Sequence, residues 1–449
     1  MTAAPEPASS PVELERQFYD MLMASQFWPA EDLVAYQHMQ LTQLLKHAKA
    51  NVPFYADRLD AVLKPNGEID WDRWSEIPIV KRSDLSEHGD ALMARTYPPS
   101  HGKLTMSLTS GTTGTPIKVM SAERAHIALR ANRLRAYRWH GIDWSKPSVM
   151  VFGEDPADSA WPEGKVLGTW GAPWEPPDKR GALLRISRLT DYANIVEFLE
   201  RKRPSYLATG PKTATAIALE AERINSDLRI DALLAQGAMV GALETDTMQR
   251  VFGARISLLY SSKEAGQIAH GCPEQPGLHV NAESVLLEIV DEQGKPCVVG
   301  QPGRVVVTPF FNAAQPLIRY EQGDVAEWMM PCSCGRHLPR IDNLIGRSTG
   351  LFYHPDGRVR AGFMHFTDRT ILKCRDWQIA QTGPHNFEVR YVPADWAIMG
   401  NEGAMADRIR EVYFGDAVVA FQRLRELPSR GGKTVEYVNE WLPPGRASS

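Results

Sequence analysis

The sequence predicts an α/β fold: a large N-terminal domain of mostly parallel α/β layers with a small β-barrel, followed by a small α+β C-terminal domain. Three observations predict it. Strand-like runs ("SVMVFG", "SYLATG", "RISLLYSS") alternate with helix-like runs ("ANIVEFLERKR", "TATAIALEAERI") between residues 148 and 262, the pattern of parallel strands joined by covering helices. From Leu278 the helices stop, and "HVNAESVLLEIVDEQGKPCVVGQPGRVVVTPFF" reads strand, turn, strand, with "EQGK" and "QPGR" as the turns. After Gly346 the character changes again, to short mixed elements. With 449 residues the chain exceeds one compact core, and the divisions expected are 1–346, with its barrel-like part at about 278–346, and 347–449.

Each element follows from local signals. "MTAAPEPASSPVE" is Pro- and Ser-rich and reads as a disordered arm. It has no positively charged region followed by an apolar one, so no secretory leader is expected. Leu41, Leu44, Leu45 and Ala48 share one helical face, and Pro53 ends that helix. The proline-punctuated "WDRWSEIPIVKRSDL" connects onward, with Ser83 as a candidate cap of a short helix. "LTMSL" closes a strand, residues 108–119 form a loop, and 121–140 read as a helix. "DALLAQGAMV" and "TDTMQRVFG" continue the alternation. The α+β tail runs to about Trp441, and "PPGRASS" reads as loose.

Composition excludes some classes of function. Hydrophobic residues make up 43%, charged residues 23%, and the net charge is -4, so no bulk attraction to nucleic acid or anionic membrane is expected. No apolar run reaches the ~18 residues a membrane-spanning helix needs. Five cysteines in this length argue against a disulfide framework and for a reducing, cytoplasmic setting.

The densest chemistry lies in "LTSGTTGTPIKV", residues 108–119. Glycines free backbone N–H groups, and the hydroxyls and Lys118 add donors, a combination that wraps phosphates. It is not the common P-loop, because counting from Gly111 puts Pro116 where the second Gly belongs. The stretch 109–118 does resemble the "(S/T)SGTTGxP" loop of the adenylate-forming ligases, in the phenylacetate–CoA ligase and CapK-like branch. Four further stretches match that branch in order. They are "LLKHAKANVPFY" with "IPIVKRSDL", "LLYSSKEAG" (258–266), "LIRYEQGDVAEW" (317–328) and "CSCGRHLPRIDNLIGR" (332–347).

The resemblance implies an enzyme that binds ATP and Mg²⁺, joins a carboxylic acid to AMP and releases pyrophosphate, then passes the acyl group to an amine or to the thiol of CoA. It also implies that the C-terminal domain is mobile. Thr109, Ser110, Gly111, Thr112, Thr113 and Gly114 would hold the β- and γ-phosphates, with Lys118 in reach. Glu264 would bind Mg²⁺, a hard oxygen ligand for a hard cation, and Tyr260 would flank the adenine beside Gly237, Ala238 and Ser261. Lys263 stands where relatives carry Thr; it either contacts the α-phosphate with a full charge or points away. Asp324 would accept from both ribose hydroxyls, and Arg347 would contact ribose or phosphate. Lys433, after a Gly pair, would bridge the carboxylate and the α-phosphate as a catalytic lysine.

The acid is expected to be aromatic or hydrophobic, with Trp139, Phe152, Gly210, Gly237, Ala238 and Tyr260 as candidate lining. Met239 replaces the acidic residue of many relatives. After Arg347 the chain reads "STGLFYHPDGRVRAGFMHF", unlike the stretch of relatives that make CoA esters, which favours an amine acceptor slightly. A CoA ligase of phenylacetate type and a non-catalytic nucleotide- or acid-binding relative are the alternatives. Finally, Cys272, His279, Cys332 and Cys334 form two pairs, C-x6-H and C-x-C, flanking the barrel segment. They are a candidate structural Zn²⁺ site, with His270 and His337 in reserve and Cys297 and Cys374 as core thiols.

Overall fold

The computed structural model describes residues 10–109, 117–152, 159–187, 190, 192–236, 240, 242–345, 351–356, 359–361, 368–430, 433–434 and 436–441. The helices are α1 (Pro11–Ser25), α2 (Ala30–Asn51), α3 (Arg82–Glu87), α4 (Glu123–Trp139), α5 (Tyr192–Lys202), α6 (Pro211–Arg223), α7 (Ala242–Thr247), α8 (Asp368–Leu372) and α9 (Glu402–Val412). A hairpin of β1 (Leu104–Thr109) and β2 (Ile117–Ala122) brackets residues 110–116.

Twelve strands then form one sheet. In chain order they are β3 (Ser148–Val151), β4 (Lys165–Thr169), β5 (Ala182–Ile186), β6 (Tyr206–Thr209), β7 (Ala232–Gln236), β8 (Arg255–Ser262), β9 (Gly266–Gly271), β10 (Leu278–Val280), β11 (Val285–Val290), β12 (Pro302–Pro309), β13 (Tyr320–Trp328) and β14 (Arg340–Ile345). The spatial order is β11-β12-β13-β14-β10-β9-β8-β7-β6-β3-β5-β4. The run β5-β3-β6-β7-β8 is parallel, and α5, α6 and α7 connect its strands. From β8 outward the pairs β8–β9, β9–β10 and β10–β14 are antiparallel. The segment from 278 to 346 is therefore strand and turn, continuous by hydrogen bonding with the parallel half.

The parallel strands are buried on both faces, as parallel strands must be. Val149, Leu207 and Leu233 point to one face with α5 and α6. Met150, Tyr206, Ala208 and Leu234 point to the other, with Tyr137 of α4 and Trp170. On that second face α4 and α1 are tied by a buried polar network. Arg135 and Glu283 are fully buried, with Nη1 donating to Glu283 Oε1 at 2.6 Å and Nη2 to Asn281 Oδ1 at 3.0 Å and Asn132 Oδ1 at 3.1 Å. Ser25 of α1 donates to the same Glu283 oxygen at 2.7 Å.

The N-terminus differs from expectation. Residues 11–13, read as disordered arm, are the first turn of α1. Ser10 accepts from Glu13 N–H at 3.2 Å and Pro11 occupies the first helical position, so the Ser-Pro pair is a helix start within an otherwise loose stretch. Residues 1–9 lie outside the described residues.

Two compact units divide the chain: residues 1–107, 118–322 and 326–344 in one, and 108–117, 323–325 and 345–449 in the other. The second contains β15 (Leu351–Tyr353) paired with β16 (Val359–Ala361), then β17 (Cys374–Gln381), β18 (Asn386–Pro393), β19 (Val418–Arg423), a short hairpin of β20 (Ser429–Arg430) and β21 (Lys433–Thr434), and β22 (Tyr437–Asn439). Its sheet runs β19-β18-β17-β22. Trp377, Phe387, Tyr391, Met405 and Phe414 form its core.

Candidate active site

The turn between β8 and β9 places the residues that the sequence singled out. A bulge after Tyr260 bends β8, Ala265 N–H donates to Ser262 Oγ at 2.9 Å, and Gly266 takes φ +71°, a conformation that glycine adopts without strain. Ser261, Lys263 and Glu264 thereby reach one cavity of ≈300 Å³. Ser107 of β1 and Ser121 of β2 line it. His126, Leu129 and Asn132 of α4 form a further wall.

The cavity has a mixed lining, with Leu129, Pro309 and Phe311 beside its polar groups, and holds unspent hydrogen-bonding capacity. Gln267 Oε1 and Nε2 and His126 Nε2 are buried without a partner among the described residues, an arrangement that a bound polar ligand resolves. Burial lowers the His126 pKa. Asn132 is already committed, donating to Ala128 O at 2.8 Å and Ser284 Oγ at 2.7 Å. Arg82 Nη1, at the start of α3, lies 3.7 Å from Glu264 Oε1. That distance is longer than a hydrogen bond, so the Glu264 carboxylate remains available to a cation.

A second cavity of ≈160 Å³ lies between α4 and the sheet. Leu134, Tyr137, Met150, Trp170, Leu183 and Leu234 make it largely apolar. Its polar edge is made by Glu15, Arg130, Arg133, Gln236 and Ser257, with Ser148 Oγ and His270 Nε2, both buried and without a partner among the described residues. Of the expected lining residues, Phe152 packs on the adjacent core and Gly210 caps α6. Trp139 does not line either cavity: its Nε1 donates to Gln26 Oε1 at 2.6 Å and its ring sits against His279.

The remaining expected residues are placed as follows. Tyr260 is buried in β8. Lys118 is exposed on β2. Asp324 is in β13 and half-buried. Thr109 ends β1, and Lys433 pairs with Arg430 in the β20–β21 hairpin; the side chains of both lie outside the described set. Ser110, Gly111, Thr112, Thr113, Gly114, Gly237, Ala238, Met239 and Arg347 fall outside the described residues altogether.

Two of the sequence signatures are joined by one arginine. Arg319 of "LIRY" is buried and donates through Nη1 to Ser75 O at 2.7 Å and Ile77 O at 2.8 Å, while Nη2 lies 3.0 Å from Glu288 Oε1. Val80 N–H donates to Arg319 O at 2.9 Å, and Glu321 N–H donates to Val80 O at 2.9 Å. The "IPIVKRSDL" segment is thus strapped to the start of β13, which fixes where Arg82 emerges.

Away from these cavities, Cys272, His279, Cys332 and Cys334 place one ligand atom each within 4.8 Å of the others. Tetrahedral Zn²⁺ with S and N ligands at about 2.3 and 2.0 Å requires S···S of about 3.8 Å and S···N of about 3.6 Å. The structure has Cys272 Sγ to Cys332 Sγ at 3.7 Å and Cys334 Sγ to His279 Nε2 at 3.3 Å. His279 Nδ1 faces Leu338 O at 3.4 Å, the outer contact that orients a metal-binding imidazole. Burial pushes the Cys332 thiol up to about 11. Of the reserve ligands, His337 Nδ1 faces Trp28 O at 3.0 Å, and His270 belongs to the second cavity.

Comparison with known proteins gives a consistent set. A phenylacetate-coenzyme A ligase of Thermus thermophilus is 25% identical over 340 residues, 72% of each chain. A phenylacetate-coenzyme A ligase of Escherichia coli K12 is 24% identical over 343 residues, again 72% of each. The solved 2-hydroxyisobutyryl-CoA ligase, in its postadenylation state in complex with R3-HIB-AMP, superposes with a TM-score of 0.70 at 19% identity, covering 97% of this chain and 94% of that one. The anthranilate CoA ligase AuaEII, in complex with anthranoyl-AMP, gives 0.54 at 13% identity, covering 97% of each. At these identities the two solved structures speak for the fold. No family model matches the chain. Among the described residues no helix is long and apolar enough to cross a membrane.

Proposed function

We propose that this chain, a member of the adenylate-forming ligase superfamily, activates a carboxylic acid with ATP and transfers the acyl group to the thiol of CoA or to an amine. A carboxylate oxygen attacks the α-phosphorus, the bond to the β-phosphate breaks, and pyrophosphate leaves. The acceptor then adds to the acyl carbonyl, AMP leaves, and the acceptor's proton passes to solvent. Two anions meet in the first step, so positive charge and oriented donors must offset their repulsion.

The observation that carries this reading is Glu264 in the ≈300 Å³ cavity, presented by a Gly266-dependent turn and lined also by the serines of the β1–β2 hairpin. One carboxylate beside a triphosphate suits Mg²⁺, which keeps several waters and takes one or two carboxylates plus phosphate oxygens. Mg²⁺ supplies charge neutralisation on the phosphates. Lys263 is the residue we assign to the α-phosphate, Asp324 to the ribose hydroxyls, residues 109–114 and Lys118 to the outer phosphates, and Lys433 to the carboxylate in the first step. The second cavity is our candidate for the acyl group. An apolar site of about 150 Å³ holds a benzene-sized ring, so an aromatic or compact hydrophobic acid fits it.

For the acceptor, the two curated relatives, both named as CoA ligases, favour the thiol. The segment after Arg347, unlike that of CoA-ester formers, favours the amine. The test is product analysis with an acid panel: AMP and pyrophosphate form only with a cognate acid, and the acyl product appears with CoA or with an amine. ADP formation, or no acid-dependent AMP, refutes the reading.

We also assign a structural Zn²⁺ to Cys272, His279, Cys332 and Cys334, on the agreement of their spacings with a tetrahedral polyhedron. A reducing, cytoplasmic setting accords with five cysteines that are all free.

A further inference from the structure

The C-terminal unit holds a second group of metal-ligand side chains. His354, His385 and Asp416 bring one ligand atom each within 4.8 Å of the others. We propose that they bind one divalent transition-metal ion of the Zn²⁺ class, through His354 Nε2, His385 Nδ1 and the Asp416 carboxylate, leaving a coordination position for water.

The geometry supports this in three ways. First, the two spacings to Asp416 match. Ligand atoms about 2.0–2.1 Å from a metal, at angles between octahedral and tetrahedral, lie about 2.9–3.4 Å apart. His354 Nε2 is 3.0 Å from Asp416 Oδ2, and His385 Nδ1 is 2.9 Å from the same oxygen. Second, His385 Nδ1 is buried and, despite that distance, makes no hydrogen bond, because the approach is off-line. Its lone pair has no other use among the described residues. Third, the outer contact is present. Asp356 Oδ1 lies 2.7 Å from His354 Nδ1, closer than the Asp356 N–H at 3.4 Å; in the tautomer with Nδ1–H that carboxylate accepts its hydrogen bond and the Nε2 lone pair faces Asp416, the carboxylate–histidine–metal arrangement.

The three ligands stand on separate, well-anchored segments. His354 follows β15, which Gln381 of β17 holds at both polar atoms: Tyr353 N–H donates to Gln381 Oε1 at 2.8 Å, and Gln381 Nε2 donates to Tyr353 O at 2.6 Å. His385 sits in the β17–β18 turn, where Val418 N–H donates to its carbonyl at 2.8 Å. Asp416 precedes β19, whose first residue is that same Val418. An ion here links the ends of β15, β17–β18 and β19 with little backbone movement. The rival arrangement is a doubly protonated His354 lying between Asp356 and Asp416, with no affinity for metal.

The experiment is metal uptake by the full chain after chelator treatment, using Co²⁺ and Zn²⁺, in wild type and in His385→Ala and Asp416→Asn. Both altered residues are at the surface, and circular dichroism confirms the fold of each variant. Comparison between variants cancels whatever the cysteine cluster binds. Wild type is expected to take up one equivalent more than either variant, and Asp356→Asn to weaken that equivalent by about 10–100-fold, the usual effect of removing an outer carboxylate. Equal uptake by wild type and both variants overturns the proposal and leaves the protonated His354 pair as the occupant of these contacts.

Discussion

Burial decides the charge state of several histidines, and this makes the protein acid-sensitive in a defined window. His101 is pushed down to about 4 by desolvation, with Arg124 and His47 adding to it. Burial lowers His140, and it drives His270 well below its usual value. Each takes up a proton more readily unfolded than folded. The stability they contribute is therefore fully present above about pH 6.5 and falls as pH drops toward the folded values. A fully buried histidine such as His270 adds a slope of up to about 1.4 kcal/mol per pH unit below that point. The urea midpoint should fall between pH 7.5 and 5.5, before most carboxylates titrate. A midpoint constant over that range contradicts the assignment.

At the scale of elements, α1, α4 and the segment before β11 are joined by the Arg135–Glu283 pair. Glu283→Ala leaves a buried guanidinium without its anion and is expected to cost about 3–5 kcal/mol, read from chemical denaturation. A loss within 0.5 kcal/mol would show the pair to be dispensable. Between β9, β10 and the segment leading to β14, the cysteine–histidine cluster ties three strands. If it holds Zn²⁺ at about 100 times the dissociation constant, removal forfeits about 2.7 kcal/mol, or a few degrees in melting temperature for a chain of this size. Purified protein should carry zinc, and Cys332→Ser should lose it. Zinc-free protein with an unchanged melting temperature contradicts the site.

Parts of this were readable in the sequence, and the reasons differ by element. The apolar runs of β3 and β6, which are buried on both faces, and the period-3.6 stripe of α2, which buries one, located those elements closely. Cys272, His279, Cys332 and Cys334 were legible as two pairs, since metal ligands on adjoining strands recur at short spacings. Arg135 was not legible as a buried charge. Its partner Glu283 lies 148 residues away, and only the polar Asn132–Arg135 pair on an inward helical face hinted at it. Arg82 and the unpartnered Gln267 were missed for the same reason: a cavity is made by the convergence of distant elements, which no local pattern encodes. Trp139, expected among the acyl-lining candidates, meets Gln26 and His279, because its position within α4 says nothing of which neighbour its indole meets.

At the scale of the whole molecule, twelve strands form one continuous sheet whose one half is parallel. The parallel half brings strand ends and crossover turns together, the usual place for ligands in open α/β sheets, and the β8–β9 turn adds Glu264 there. The two units are distinct in their cores, one built on the twelve-stranded sheet and the other on β17, β18 and β19 around Trp377. The further metal site proposed above belongs wholly to the second unit.

In the function proposed above, Glu264 serves a nucleotide–metal centre for carboxylate activation. Acid-dependent exchange of labelled pyrophosphate into ATP, measured for wild type and Glu264→Gln across a panel of aromatic and compact hydrophobic acids, tests that most directly. We predict exchange by the wild type with at least one of those acids and none without acid, and a loss of at least about 100-fold in the variant, the scale of removing one electrostatic contact to the transition state. Exchange undiminished in Glu264→Gln, or absent from the wild type across the whole panel, would contradict it.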